Sequence, residues 1–236
     1  MLFRSRFDGQ KFNWLGSIGK VSSVCATWYE SPIRTVQQVK DKEVIVAGAT
    51  PGTNSVVVPN IINMLLGTKF KVISGYEAGR GMEMAVEKKE VDGICGLSWS
   101  TFKAARPDWI AEKRLNVIMQ LSMIPLADLP GVPSVIDLLT NENDKKVLQF
   151  IMIRQETGRP FATSPDVPAD RVAALRKAFD DTIKDPEFVA EANKLSLEID
   201  PLTGAQIDDL LKQAYAAPKD IVQRASEILE KANAAK

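Results

Sequence analysis

The sequence predicts an α/β fold with a mainly parallel sheet, and three observations carry that expectation. Apolar runs of strand length alternate with helical patterns from about residue 43 to residue 121. The apolar run "VIVA" at 44–47 empties directly into "GATPGTNS", a turn rich in Gly, Pro, Thr, Asn and Ser that a helical pattern follows at once. Two further junctions, "VISGYEAGRGMEM" and "GICGLSWS", repeat the same order. Strands joined through helices need crossover connections, and crossovers of this kind build covered, parallel sheets.

Before that series, "FNWLGSI" and "VSSVCATWY" between residues 12 and 29 are rich in β-branched and aromatic residues and read as strands. Thr35 is placed to cap a short helix over "VQQVKDKE". A strand at 43–49, helix about 55–66, strand 70–76, helix about 80–89, strand 91–95, helix about 98–106 and strand 114–121 then form one lobe. Pro59 falls in the first turns of the second of these helices, where its missing N–H is costly unless that helix starts later. "LPGVPS" at 129–134 is a turn whose Ser134 caps "VIDLL", with Asp137 favouring the positive end of the helix dipole.

After the amphipathic segment 144–155, "ETGRPFATSPDVP" carries Gly158, Pro160, Pro165 and Pro168 and is expected to be a rigid extended connection, the main hinge of the chain. Pro168 suits a first helical position, and Val172, Leu175, Phe179 and Ile183 recur at helical spacing as an apolar stripe. Asp185 with Pro186 restarts the helix, "LEID" is expected as a short strand, and Thr203 with Gln206 forms a capping box. Pro218 opens the last helix, whose tail "EKANAAK" is expected to fray.

At 236 residues the chain is long enough for one large domain or two small lobes. Thirty basic and thirty acidic residues cancel, so no global field favours nucleic acid or another polyanion. The complete absence of histidine excludes triads and zinc sites built on that residue. Cys25 and Cys95 are too few for a disulfide framework and lack metal-ligand spacing, so both read as small core residues, with any interaction between them left open. No apolar run approaches the roughly 18 residues of a membrane span, and no signal peptide opens the chain. "MLFRS", followed at once by "RFDGQKFNWLG", reads like the middle of a domain, and the expectation is a truncated reading frame, with a genuine cytoplasmic start as the alternative.

Candidate chemistry gathers at the three strand-to-helix junctions. Thr50, Gly52, Thr53, Asn54 and Ser55 combine capping side chains with a glycine that admits close backbone approach, which suits a bound anion as well as an ordinary turn. At the second junction Tyr76, Gly79 and Arg80 stand out; an arginine in that crevice can clamp a carboxylate, or can simply be solvated. At the third, Ser98 and Ser100 can donate to a ligand, and Trp99 either walls it or packs in the core. "GYEAGRG" lacks the dinucleotide spacing, so no cofactor is expected, "GLSWS" is not a nucleophile elbow, and with no histidine and no metal-ligand cysteine spacing no metal is expected.

Together, "FNWLGSIG", the long run from "IVAGATPGTNS" through "SGYEAGRGMEMAVEKKEVDGICG", "LPGVPS" and "GRPFATSPDVPADRVAALRKAFDDTIKDPEF" resemble the substrate-binding proteins of the tripartite tricarboxylate transporter family, the Bug-type periplasmic solute receptors. The likeness runs from Phe12 to about Ile228. It implies a two-lobed Venus-flytrap fold of the type II periplasmic-binding class, which captures a small carboxylate and presents it, as a monomer in the periplasm, to a membrane permease. Position by position it assigns 50–55 to the second lobe's anion loop and 76–80 to its second ligand-facing loop. It also implies that the first lobe is incomplete here, its opening strand, Gly-rich loop and signal peptide lying upstream of this sequence, so that this chain alone is expected to bind its ligand poorly. The family has a small or Gly-rich loop where Arg80 stands, so an ionic contact from Arg80 is an inference from the residue alone. On this map lobe two spans 35–157, lobe one comprises 1–34 and 158–236, and the hinge crosses near 31–34 and 158–161.

Two other classes compete. The effector-binding half of a bacterial transcription regulator shares such a bilobed architecture and would carry a helix-turn-helix upstream. An enzyme would need acid–base groups such as Glu83, Glu87 and Asp92, whose positions instead fit a solvated helix face beside lysines.

Overall fold

The computed structural model describes residues 8–195, 197 and 199–234, so "MLFRS" and the last two residues of the tail lie outside the described residues. In chain order the elements are β1 (Asn13–Ser17), β2 (Ser23–Trp28), α1 (Val36–Asp41), β3 (Val44–Gly48), α2 (Asn54–Leu66), β4 (Phe70–Ser74), α3 (Arg80–Glu87), β5 (Gly93–Ser98), α4 (Trp99–Ala105), α5 (Pro107–Ala111) and β6 (Leu115–Leu121). The chain continues through α6 (Val135–Leu138), α7 (Glu142–Thr157), β7 (Pro160–Thr163), α8 (Ala169–Thr182), α9 (Pro186–Lys194), β8 (Leu202–Thr203), α10 (Gly204–Tyr215) and α11 (Lys219–Ala234).

Capping chemistry starts several helices where local sequence favours it. Thr35 with Gln38, and Thr203 with Gln206, close reciprocal capping boxes at α1 and α10. Ser134 caps α6, and Asp185 accepts from the Glu187 and Phe188 amides ahead of Pro186. Pro168 is the residue before α8 rather than its first helical residue. Helix α2 starts at Asn54, so Pro59 sits inside it, with its ring buried. The Asn60 side chain donates to the Val56 carbonyl at 2.9 Å, and burial of the apolar run 56–62 offsets the hydrogen bond that proline removes.

The chain divides into two compact units. The smaller takes the described residues up to Val21 with Phe150–Val222, and the larger takes Ser22–Gln149 with the described residues from Gln223 onward. This differs from the expected lobes. Strand β2 hydrogen-bonds along both edges to β5 and β6, which places 22–34 in the larger unit, while 150–157 joins the smaller. The expected crossings at 31–34 and 158–161 therefore fall inside units.

In the larger unit the sheet order is β4-β3-β5-β2-β6. Strand β3 runs parallel to β4 and β5, and β2 runs antiparallel to both its neighbours, so four strands point one way and β2 points back. One face of this sheet packs against α3, α4 and α5 through an aromatic core: Trp28 and Trp109 lie 4.7 Å apart between ring centres, Trp109 and Phe102 5.5 Å, and Phe102 and Trp99 6.3 Å. Arg106 stacks on Trp109 at 4.0 Å and donates to Glu87 at 2.7 Å, Asp108 at 2.9 Å and Glu83 at 3.5 Å. Glu83 is buried, and Asp92 accepts from the Ile45 amide, so these carboxylates are not the solvated face that their spacing suggested. Cys25 and Cys95 are buried as expected, and as register partners on β2 and β5 they are joined in a disulfide.

The smaller unit holds an antiparallel sheet, β7-β1-β8, which departs from the expectation of mainly parallel sheets. "ETGRPFATSPDVP" is not wholly a connection, because 160–163 pair with β1 from Asn13↔Thr163 to Ser17↔Pro160. Helices α8 and α10 pack on β1. Of the predicted α8 stripe, Val172 and Ile183 are buried while Leu175 is exposed. The short strand lies at 202–203 rather than in "LEID", of which Glu198 is outside the described residues.

Candidate functional site

Three turns converge at the carboxyl edge of the larger sheet because β4, β3 and β5 run in one direction and lie side by side, about 4.8 Å apart. The Gly75 amide donates to Ala49 at 3.0 Å and the Tyr76 amide to Gly48 at 3.2 Å, which ties the turn after β4 to the turn after β3. On the other flank a bulge at Gly96, whose φ is 83°, lets β5 approach the start of α2 so closely that a Cβ there would lie 2.3 Å from the Asn54 carbonyl oxygen. Thr50, Gly52, Thr53, Asn54 and Ser55 thus sit between the Gly79–Arg80 turn and Ser98.

The hydroxyls of the central turn are turned inward. Thr53 Oγ1 donates to the Thr50 carbonyl at 2.7 Å, so the hydrogen it shares with Ser55 Oγ at 3.1 Å comes from Ser55. Ser55 Oγ in turn accepts from the Ala49 amide at 3.1 Å. Among the described residues the N-cap Thr53 makes no side-chain hydrogen bond to the backbone amides of the first turn of α2. Its amide dipoles, rather than the Thr53 and Ser55 hydroxyls, are what the turn presents to an anion. Thr50 and Gly52 are exposed, and Thr53 and Asn54 are half-buried. The end of α11 borders this turn: Asn60 donates to the Ala232 carbonyl at 3.2 Å, and Asn233 lies 3.6 Å from where a Gly52 Cβ would stand.

Gly79 precedes α3 and Arg80 is its first residue, exposed and without a hydrogen-bond or ion-pair partner among the described residues. Tyr76 packs against the aromatic core and its hydroxyl donates to Glu90 at 3.4 Å; burial, with the Glu90 charge, raises its pKa. Its backbone, not its ring, lies at the junction. Ser98 is half-buried, 3.4 Å from Ser100 Oγ, and accepts from Thr101 at 3.1 Å.

Sequence reasoning missed the support of this edge. Trp99 is buried and its indole N–H donates to Asp128 at 2.9 Å, while Lys103 also bonds Asp128. Burial pushes the Asp128 carboxyl up, but those two donors outweigh it and leave the pKa lowered. The fully buried Gln120 accepts from the Leu126 amide and Ser122 and donates to the Val132 carbonyl, which fixes the loop after β6. Also missed was Ser23, a buried hydroxyl at the same edge. Among the described residues no cluster of three or more Cys, Asp or Glu could hold a metal ion.

No family model matches the chain, and no curated protein matches it. Solved structures do. A TctC solute-binding protein from Polaromonas, solved with no ligand, superimposes with a TM-score of 0.67 at 12% identity, covering 93% of this chain and 72% of that one. The periplasmic binding protein BugD gives 0.57 at 17% identity, covering 94% and 69%. An R. palustris protein solved with adipate gives 0.56 at 10% identity, covering 94% and 68%. The chain has the fold of the TctC and BugD periplasmic solute-binding proteins.

Proposed function

We propose that this chain is a solute receptor of the tripartite tricarboxylate type, which holds a small carboxylate outside the cytoplasm and hands it to a membrane permease without chemistry of its own. The observation that carries this reading is the convergence of three strand-end turns, with the first turn of α2 at their centre, in a chain whose fold is that of solute-binding proteins. An uncapped helix start favours a carboxylate by about 0.3–1 kcal/mol, more where water is excluded. Arg80, unpaired beside it among the described residues, adds a charge-assisted hydrogen bond. Thr50, Gly52, Thr53, Asn54, Ser55, Tyr76, Gly79, Arg80 and Ser98 line the proposed site, with Thr53 and Ser55 holding its shape and Tyr76 contributing backbone. The Cys25–Cys95 disulfide supports a periplasmic location, since such bonds persist in oxidising compartments.

The test is calorimetric titration with adipate, citrate and benzoate against their neutral esters. At least one acid should bind, with its ester silent. Arg80→Ala should weaken that acid about tenfold, the lower end for a charged hydrogen bond because Arg80 is exposed. No heat from any acid, or equal binding of acid and ester, would overturn the proposal.

A further inference from the structure

Ser23 opens β2, and because β2 runs against its neighbours, that residue stands at the carboxyl edge of β5 and β6, with Ser98 and Leu121 as register partners. Its hydroxyl is fully buried and has no hydrogen-bond partner among the described residues. A buried polar atom left in this state is costly, and native chains seldom keep one without a use for it.

The pleat fixes which way Ser23 faces. Val24 and Trp28 belong to the aromatic core on the α3 side, so Ser23 and Cys25 face the opposite side. That opposite side is the one α2 covers: a Cβ on Gly48 would meet Val56, and one on Gly96 would meet Asn54 and Val58. The irregularities in pairing fall at Gly96 on β5 and at Ile118 on β6, so β2 itself keeps its alternation. Leu97 packs with the aromatic core, which turns Ser98 to the α2 side as well. Ser23 and Ser98 are therefore a cross-strand pair on one face, with Cβ atoms about 5 Å apart. They lie beside the bulge that brings β5 against the first residue of α2.

We infer that Ser23 is a ligand-contacting residue: with Ser98 it forms a pair of hydroxyls that hold one carboxylate oxygen beside the first turn of α2. This rests on the carboxylate-binding reading above. Hydroxyls carried on Cβ atoms about 5 Å apart can rotate to share one acceptor placed between them, at about 2.7 Å each. Ser98 accepts from Thr101 at 3.1 Å, and a carboxylate oxygen there competes for its hydrogen only with the Ser100 hydroxyl at 3.4 Å. The arrangement gives the site a donor on a strand that the βα pattern does not reach.

The experiment is a double-mutant cycle on the full chain, with Ser23→Ala, Ser98→Ala and the pair titrated with adipate, citrate and benzoate, alongside urea unfolding of each ligand-free variant. Ser23→Ala is expected to weaken the bound acid about tenfold while leaving ligand-free stability equal to or above that of the parent, because it removes an unpartnered hydroxyl. The double variant should lose less than the product of the single losses, the mark of one shared acceptor. If the parent binds an acid and Ser23→Ala changes its affinity less than twofold, or destabilises the ligand-free chain, the inference falls and the receptor reading stands. If the parent binds none of the acids, both fall.

Discussion

Gly96→Ala probes the contact on which the site's geometry depends. At a φ of 83° an alanine costs about 1–2 kcal/mol in backbone strain. Its Cβ would also lie 2.3 Å from the Asn54 carbonyl oxygen and 2.8 Å from its carbon, both backbone atoms in the first turn of α2. Relief needs a shift of about 1 Å between β5 and α2, an overpacking cost of about 1–3 kcal/mol. The total is about 2–5 kcal/mol. Gly67→Ala supplies the control, since Gly67 has a φ of 67° but nothing within 4 Å of where an added methyl would stand, leaving only the conformational cost of about 1 kcal/mol. Urea unfolding read by tryptophan fluorescence suits the comparison, because Trp28, Trp99 and Trp109 all report on the larger unit. Gly96→Ala should lose clearly more stability than Gly67→Ala and should also weaken carboxylate binding. Equal losses in the two variants would refute the close approach of β5 to α2.

Arg106→Ala leaves the buried Glu83 unpaired and strips the stack on Trp109, so unfolding experiments should show a loss of about 3 kcal/mol. Arg106 holds the Glu87 and Asp108 carboxyls below their ordinary values of 4.5 and 3.8. A depressed folded-state pKa gives stability that is present above the unfolded value and is lost as pH falls through the folded one. Acid titration of the parent should therefore show a stability loss beginning below about pH 4.5, and Arg106→Ala a shallower one. Replacing both Cys25 and Cys95 with alanine removes a cross-link between residues 70 apart in sequence. The expected cost is about 2–4 kcal/mol by denaturant unfolding. Thr35→Ala breaks the α1 capping box and should cost about 1 kcal/mol in the same assay.

The βα series was legible because each of its elements is decided locally. Val44–Gly48 is a buried apolar run, Thr35 and Ser134 are caps, and the glycines of the three junctions punctuate the pattern. Long-range pairing was not legible. The reversal of β2, its membership of the larger unit, the pairing of 160–163 with β1 and the Cys25–Cys95 bond all join residues far apart in sequence, and no local period encodes them. The junction residues were found from composition alone, yet the inward closure of the Thr53 and Ser55 hydroxyls depends on Thr50 and Ala49 backbone positions that only a folded turn defines. Ser23 escaped notice for the same reason, its burial and its register opposite Ser98 being set by a neighbouring strand.

The most direct measurement of the central claim is backbone amide NMR of the chain during titration with the acid that binds tightest in calorimetry. Saturable shifts are expected at all three strand-end turns together, at 53–55, at Gly79 and Arg80, and at Ser98, with Gly67 unmoved as a distant reference. Shifts confined to one turn, or centred elsewhere in the chain, would contradict a carboxylate held where the three turns meet.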